Sequence, residues 1–215
     1  MSTENICEEI HNTVAKLKIY KFPFNLEEIY MNGIYVLFEK YEEAHGTARI
    51  VRIGTHTGDD NLPVRLKEHF MKENKDRSIF RKNIGRALIN KNQYTCLDIW
   101  NKDYTSGKNK MEYNKLFESQ KENIKSVEED VSKYMRQFFS FVIIKITDRN
   151  ERLKYESKLI GTISNCKECN PSANWLGRFS PQIKIKESGL WLTQHLYKNP
   201  FSYQEWEEFK NKYLV

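Results

Sequence analysis

The spacing of apolar residues along the chain first indicates helices. Ile6, Ile10, Val14 and Leu17 recur every three or four positions, which predicts an amphipathic helix over residues 3–18. Comparable spacing, with capping residues and the break at Pro23, predicts further helices over residues 26–30, 62–73, 79–89, 148–164 and 203–213.

Three compact apolar runs predict buried strands, at GIYVLF (33–38), RIVRIG (49–54) and FFSFVIIKI (138–146). The polar residues 39–48 predict a connecting loop, whose length allows the first two strands to pair antiparallel. Residues 101–130 are polar and predict a surface excursion or a mobile flap, with a helix emerging toward Tyr134. The order of elements favours an α+β fold with a small, mainly antiparallel, three-stranded sheet flanked by helices.

The composition is that of a soluble globular protein, with 39% hydrophobic and 30% charged residues. No apolar run approaches the roughly 18 residues of a membrane span. The N-terminus, MSTENICEEI, lacks a basic-then-apolar signal pattern, so we expect a cytoplasmic protein.

The net charge of +6 is concentrated in one segment. Residues 65–91 hold nine basic and three acidic side chains, an excess equal to that of the whole chain. Such a segment is typical of proteins with a polyanionic partner. The alternative is a set of solvated basic helices without a partner.

The four cysteines are too few and too scattered for a disulfide framework. Cys166 and Cys169 form a CxxC pair that would supply half of a structural zinc site. Because no second CxxC or HxxxH pair is present, the pattern favours two free thiols in a loop.

One glutamate interrupts the apolar spacing of the helix after Asp148. Glu156 lies three residues after Leu153 and four before Ile160, on the face that also carries Ile163. A carboxylate directed toward a core is costly unless it is paired or binds a cation. Glu156 is therefore a candidate metal ligand, although a glutamate at the edge of the stripe would reach water or an arginine.

Two further positions carry candidate chemistry. Arg65 and His69 lie four residues apart and share a helix face, where they would suit a phosphate group or a proton relay. Tyr35 alternates with its apolar neighbours in the first strand, and a role as a base would require nearby positive charge. Arg52 on the second strand would supply that charge if the strands pair there. Packing and a solvated basic face are the plain alternatives for these residues.

The order of these residues resembles the GIY-YIG nuclease superfamily, in particular an uncharacterised bacterial subgroup, over about residues 32–180. The resemblance implies one nuclease domain over residues 1–215, with a polar insertion at 101–135 and helical additions at both ends. It rests on Gly33-Ile34-Tyr35, Arg52-Ile53-Gly54, Arg65 with His69, Glu156, and Asn174 in the PSANWLG segment.

The resemblance implies a metal-dependent endonuclease that hydrolyses phosphodiester bonds in DNA, which we expect to be double-stranded. To cut both strands, such a protein would form a homodimer or act twice. Tyr35 would act as the base, Arg65 would hold the phosphate, and Glu156 would bind Mg²⁺ or Mn²⁺. His69 would assist the proton relay or hold Tyr35 in place, and Asn174 would orient the substrate or Glu156.

The sequence departs from the family pattern at Arg52, which stands where the family has the first tyrosine of YIG. Arginine stays protonated and cannot act as a base, although it would bind phosphate or lower the pKa of Tyr35. Two alternatives to a nuclease therefore remain: a catalytically impaired nucleic-acid-binding module of the same fold, and a scaffold whose basic helices bind an acidic protein.

Overall fold

The computed structural model describes residues 2–214, which form a four-stranded antiparallel sheet with helices on both faces. The α+β class and the antiparallel pairing are confirmed. The strand that was not predicted, Tyr20–Lys21, has two residues, too few to show an alternating pattern in the sequence. The strands, in sheet order, are β1 (Tyr20–Lys21), β4 (Phe139–Lys145), β2 (Gly33–Ala44) and β3 (Thr47–Gly54).

Most predicted helices are present, with shifted ends. The last helix covers the predicted residues, and the Asp148 carboxylate caps the helix that follows it by accepting the Glu151 amide at 2.8 Å. The predicted helix at 26–30 is a single 3₁₀ turn. The helices among the described residues are α1 (Thr3–Val14), α2 (Leu62–Phe70), α3 (Ile79–Lys91), α4 (Leu97–Asn101), α5 (Gly107–Asn114), α6 (Glu118–Phe138), α7 (Arg149–Asn165), α8 (Ile183–Ser188) and α9 (Tyr203–Tyr213).

The loop predicted over residues 39–48 is wrong, because β2 and β3 continue through it as a hairpin. The strands turn at His45 and Gly46, which have positive φ values of 51° and 70°, as a tight two-residue hairpin turn requires. The polar residues that obscured the strand are partly buried. Glu39, for example, accepts hydrogen bonds from the indole nitrogens of Trp175 and Trp191 at 2.9 and 2.8 Å.

The sheet separates two apolar cores. Tyr35 and Leu37 of β2 face a core covered by α2, α3 and α6, whereas Ile34 and Val36 face a core covered by α1, α7 and α9. This alternation follows from the two-residue period of a strand. Within the described residues, no helix combines the length and apolarity that crossing a membrane would need.

The polar segment 101–135 contains two kinds of structure. Helix α5 buries none of its residues, as expected for a surface excursion. Helix α6 instead packs against α3 and buries Val127, Val131 and Met135. A buried ion pair also joins α3 to α6: an Arg81 nitrogen of α3 lies 2.7 Å from a Glu128 oxygen of α6.

Candidate functional site

The candidate site lies where β2 and β3 come together at the end of the sheet. Tyr35 pairs with Gly54, and its ring lies across the Gly54 backbone. A Cβ at position 54 would lie 2.5 Å from Cζ of Tyr35 and would overlap the hydroxyl. Glycine at position 54 therefore provides the space that the Tyr35 phenol occupies.

The Tyr35 hydroxyl begins a chain of hydrogen bonds that crosses three elements. It lies 3.0 Å from Nε2 of His69 on α2, and Nδ1 of His69 lies 2.7 Å from Oγ of Ser78. Ser78 caps α3, since the same oxygen accepts the Arg81 amide at 3.2 Å. The chain of contacts fixes the Tyr35 ring and the His69 ring with respect to each other.

His69 is fully buried and uncharged. Burial, followed by the positive charges of Arg65, Arg52 and Arg81, holds the pKa of His69 well below its ordinary value. A neutral imidazole has one donor and one acceptor nitrogen. When Nδ1 donates to Ser78, Nε2 accepts from Tyr35, and the phenol then has a proton acceptor at hydrogen-bond distance.

Glu156 reaches the same end of the sheet from α7, on the other face. Its Oε1 accepts the backbone amide of Thr55, the residue after Gly54, at 3.0 Å. The Thr55 hydroxyl donates to the carbonyl of Gly33 at 2.8 Å and ties this turn to the start of β2. Glu156 thus contacts the residue that follows Gly54, the glycine against which Tyr35 packs.

The environment of Glu156 combines burial with positive charge. Burial raises the pKa of the Glu156 carboxyl, and Arg52, the Thr55 amide and Arg65 act against that rise. The apolar stripe inferred for α7 is partly wrong, because Leu153 is 43% exposed. The buried face runs through Tyr155 and Leu159, and the half-buried Glu156 lies at its edge.

Arg65 is half-buried on α2. Its Nη1 donates to the carbonyl of Arg77 at 2.9 Å and lies 3.3 Å from a Glu68 oxygen. These contacts leave the guanidinium within electrostatic range of His69 and Glu156, whose pKa values it lowers.

Arg52 lies beneath the site. It pairs with Leu37 rather than with Tyr35, and only 6% of its surface is exposed. One guanidinium nitrogen donates to the carbonyl of Trp191, and the group lies 4.9 Å from the centre of the Phe80 ring. Among the described residues, the buried Nε of Arg52 has no hydrogen-bond partner. The positive charge of Arg52 lowers the pKa of His69 and that of the Glu156 carboxyl.

Asn174 is separate from this group. Its side chain is exposed and makes no hydrogen bond to another described residue, while its neighbour Trp175 is buried and donates to Glu39. The structure joins Tyr35 to His69 by a hydrogen bond and places Arg65 and Arg52 where their charges affect His69 and Glu156, but it does not join Asn174 to these residues.

Two contributors to the site, Ser78 and Thr55, were missed in the sequence. Ser78 precedes the apolar run of α3, a pattern typical of a helix cap that would have identified it. Thr55 contacts Glu156 through its backbone amide. Because almost every residue type has such an amide, the sequence could not indicate this contact.

The basic segment 65–91 is less exposed than its sequence indicates. Lys75, Arg81 and Lys82 are buried and form ion pairs with Asp76 or Glu128. The exposed members are Lys67, Lys72, Arg77 and Lys91. A polyanion would therefore contact about half of the nine basic residues that the sequence places in this segment.

Cys166 and Cys169 are free thiols that lie close to other potential metal ligands. The fold brings Cys7 and His45 to them, so that one ligand atom from each residue lies within 4.8 Å of the others. The missing partners are single residues far away in the chain, and a search for a second short motif cannot find them.

A comparison with protein families gives one match that spans nearly the whole chain. The family model described as GIY-YIG domain matches residues 6–212. No curated protein and no solved structure gives a significant match.

Proposed function

This chain belongs to the GIY-YIG domain family, and from that membership we infer a nuclease-type function and propose a metal-dependent endonuclease that hydrolyses phosphodiester bonds in DNA. The observation that carries the proposal is the 3.0 Å contact between the Tyr35 hydroxyl and Nε2 of His69, next to the segment that positions Glu156. A base and a carboxylate at one end of a sheet are suited to attack by water on a phosphodiester.

The proton of the attacking water has a defined route in this proposal. The Tyr35 oxygen takes the proton of the water while its own proton moves to Nε2 of His69. His69 is neutral at neutral pH because of its burial, so Nε2 is available to accept. Ser78 holds the imidazole in place through Nδ1.

Glu156 fits a divalent metal ion with oxygen ligands. Its Oε1 is held by the Thr55 amide, while no hydrogen bond within the described chain uses Oε2. Mg²⁺ commonly binds through one or two carboxylates and completes its coordination with water and substrate phosphate. When bound, Mg²⁺ or Mn²⁺ would neutralise charge on the scissile phosphate and the leaving oxygen.

The arginines divide the remaining roles. Arg65 is half-buried and would contact a non-bridging phosphate oxygen. The buried Arg52 would favour the ionised form of Glu156. The exposed amide of Asn174 suits contact with substrate better than contact with Glu156.

A plasmid-nicking assay with Mg²⁺ or Mn²⁺ tests this proposal. We expect Glu156→Ala to reduce the rate by at least about two orders of magnitude, as loss of one preorganised charge-stabilising group typically does. Binding to DNA should survive. Glu187→Ala, at an exposed position of α8, is the matched control and should nick at the wild-type rate. Nicking by Glu156→Ala at that same rate would rule out the assignment.

Two observations favour a second function, that of a nucleic-acid-binding module without catalysis. Only 1% of the Tyr35 surface is exposed, and Arg52 stands where the family has the first tyrosine of YIG. Salt-dependent DNA binding without metal-dependent nicking would establish this alternative. Failure to retain DNA at low salt would contradict both functions.

A further inference from the structure

Four potential metal ligands from distant segments meet in the core that α1, α7 and α9 cover, away from the candidate active site. Cys7 lies on α1, His45 in the β2–β3 turn, and Cys166 and Cys169 after α7. Cys7 is 0% exposed, Cys166 and Cys169 are 8% and 6% exposed, and the His45 side chain is 2% exposed.

The spacing of the ligand atoms fits one tetrahedral ion. Nε2 of His45 lies 3.5 Å from Sγ of Cys166 and 3.4 Å from Sγ of Cys169, and Sγ of Cys7 lies 3.3 Å from Sγ of Cys169. Around Zn²⁺, with Zn–S of about 2.3 Å and Zn–N of about 2.0 Å, neighbouring ligand atoms lie roughly 3.5–3.8 Å apart. These three distances are slightly shorter than the tetrahedral spacings, and the other pairs of ligand atoms lie within 4.8 Å, so that small shifts would let the four atoms surround an ion.

The groups behind the ligands also match a metal site. Nδ1 of His45 lies 3.5 Å from a carboxylate oxygen of Glu168, which leaves Nε2 directed at the sulfur atoms. A carboxylate hydrogen-bonded to the second nitrogen of a ligating histidine orients the ring, and Glu168 lies where a small shift would form that bond.

A second histidine supports the cluster without joining it. The His11 ring lies 4.9 Å from the His45 ring. Nε2 of His11 accepts the Ile50 amide at 3.2 Å, so Nδ1 carries the proton and donates to the Cys7 carbonyl at 2.9 Å. Both ring nitrogens of His11 make hydrogen bonds to the backbone, so His11 is not a metal ligand. The four potential ligands are those of Cys7, His45, Cys166 and Cys169.

His45 occupies a backbone position that asparagine or glycine usually fills. Its φ of 51° lies in the left-handed region, where hairpin turns favour Asn-Gly. The chain has His-Gly there instead, and the turn places the imidazole against the cysteines. A ligand role accounts for histidine at this position.

We propose that Cys7, His45, Cys166 and Cys169 bind one Zn²⁺ ion. Three thiolates and one imidazole are a standard donor set for structural zinc, and magnesium prefers oxygen ligands. Four buried protein ligands leave no position for water, so the ion is structural. It joins α1, the hairpin turn and the segment that leads to Trp175, independently of any nuclease activity.

Metal analysis of the full-length protein tests this site, with the remaining cysteine as a control. The protein, expressed with zinc and purified without chelator, should contain about one zinc ion per chain by mass spectrometry. Cys166→Ser and His45→Ala should lose most of it. Cys96→Ser should retain the wild-type content, because Cys96 lies in the other core.

A second measurement decides the matter if those variants fold poorly. Wild-type protein refolded with Co²⁺ should show thiolate-to-cobalt charge-transfer absorption and the visible bands of a tetrahedral ion, and added Zn²⁺ should abolish both. Wild-type protein without zinc, and without these bands, would overturn the site. Equal loss of zinc from Cys96→Ser and Cys166→Ser would overturn it as well.

Discussion

At the scale of single residues, the contact between Tyr35 and Gly54 sets the position of the candidate base. Gly54→Ala would place a methyl group where the phenol lies. Because the Tyr35 ring is buried, we expect a destabilisation of about 1–3 kcal/mol, as for other overpacked cores. Nicking should fall with it, since the phenol must move away from His69.

The controls for Gly54→Ala use a second glycine and a second background. Gly107→Ala enters open space at the start of α5 and should leave the free energy of unfolding nearly unchanged. In a Tyr35→Leu background, Gly54→Ala should cost less than in the wild type. An equal loss of stability in both backgrounds would show that overlap with the Tyr35 phenol is not the reason why Gly54→Ala destabilises the protein.

His69 gives the stability of the protein a pH dependence. Burial holds its pKa well below the value of about 6.5 found in unfolded chains. Below that pH the unfolded chain gains a proton that native His69 does not. Its contribution to stability is therefore complete above about pH 6.5 and is lost as the pH falls.

Denaturant titrations of His69→Gln and wild type between pH 7 and pH 5 measure this contribution. The free energy of unfolding of the variant should decline less steeply, since the other histidines are common to both proteins. Parallel declines would mean that His69 takes up a proton without unfolding.

Tyr35, His69 and Glu156 stay predictions that rest on their order along the chain and on the family resemblance. Of the contacts around them, the hydrogen bond between Tyr35 and His69 joins residues that the periods of a strand and a helix each place on one face. The surroundings depend on tertiary contacts. Arg52 lies opposite Leu37 because the register that pairs Tyr35 with Gly54 continues without a shift to this pair, and no local pattern in the sequence reveals which residues of two strands pair.

At the scale of elements, Ser78 links the start of α3 to the candidate site. Ser78→Ala removes a helix cap and the partner of a buried His69 nitrogen. We expect it to cost about 1–3 kcal/mol more than Ser106→Ala, the penalty of an unsatisfied buried polar group. Ser106 is a suitable control, because it caps α5 with the same hydroxyl-to-amide geometry on an exposed surface. Equal costs in thermal unfolding would contradict this role.

Helices were easier to predict than the hairpin. The ends of α7 and α9 follow from capping residues and apolar spacing within the element itself. The end of β2 does not, because Glu42 is buried by a distant partner. Its carboxylate accepts the Nε of Arg49 at 2.9 Å and the amide of Ser172 at 3.1 Å. The alternation of apolar and polar residues along a strand cannot predict that a charged residue is buried by a partner elsewhere in the chain.

At the scale of the whole molecule, the exposed basic residues predict the salt dependence of DNA binding. The logarithm of the association constant for DNA should fall linearly with the logarithm of the salt concentration. The slope should be about −0.9 for each phosphate that the protein neutralises. Replacing Lys67, Lys72 and Arg77 with glutamine should reduce the slope by up to about one unit for each residue in contact.

Anisotropy titrations with a DNA duplex at several salt concentrations measure that slope. The double variant Lys184→Gln/Lys186→Gln removes two exposed charges from α8 and should have little effect. An equal reduction by both sets of substitutions would indicate diffuse attraction without a defined surface. A flat affinity in the wild type would argue against DNA as a partner.

The global assembly of the chain was the least predictable feature. The charge count assigned Arg81 to a possible polyanion surface, whereas the fold buries it against Glu128 of α6. The cysteine spacing likewise concealed Cys7 and His45 as neighbours of the CxxC pair. Both errors arise because residues distant in sequence meet only after the helices pack on the sheet.

The strand order has a consequence for synthesis on the ribosome. β2 lies between β3 and β4, and β4 begins at Phe139, long after β2 ends at Ala44. At about 5–20 residues per second, roughly 5–20 s pass before the nascent chain supplies that second partner. The apolar edge of β2 is unpaired during this interval and is open to other chains. We expect translation pauses between these two strands to lower the yield of folded protein, and chaperones that cover the edge to restore it.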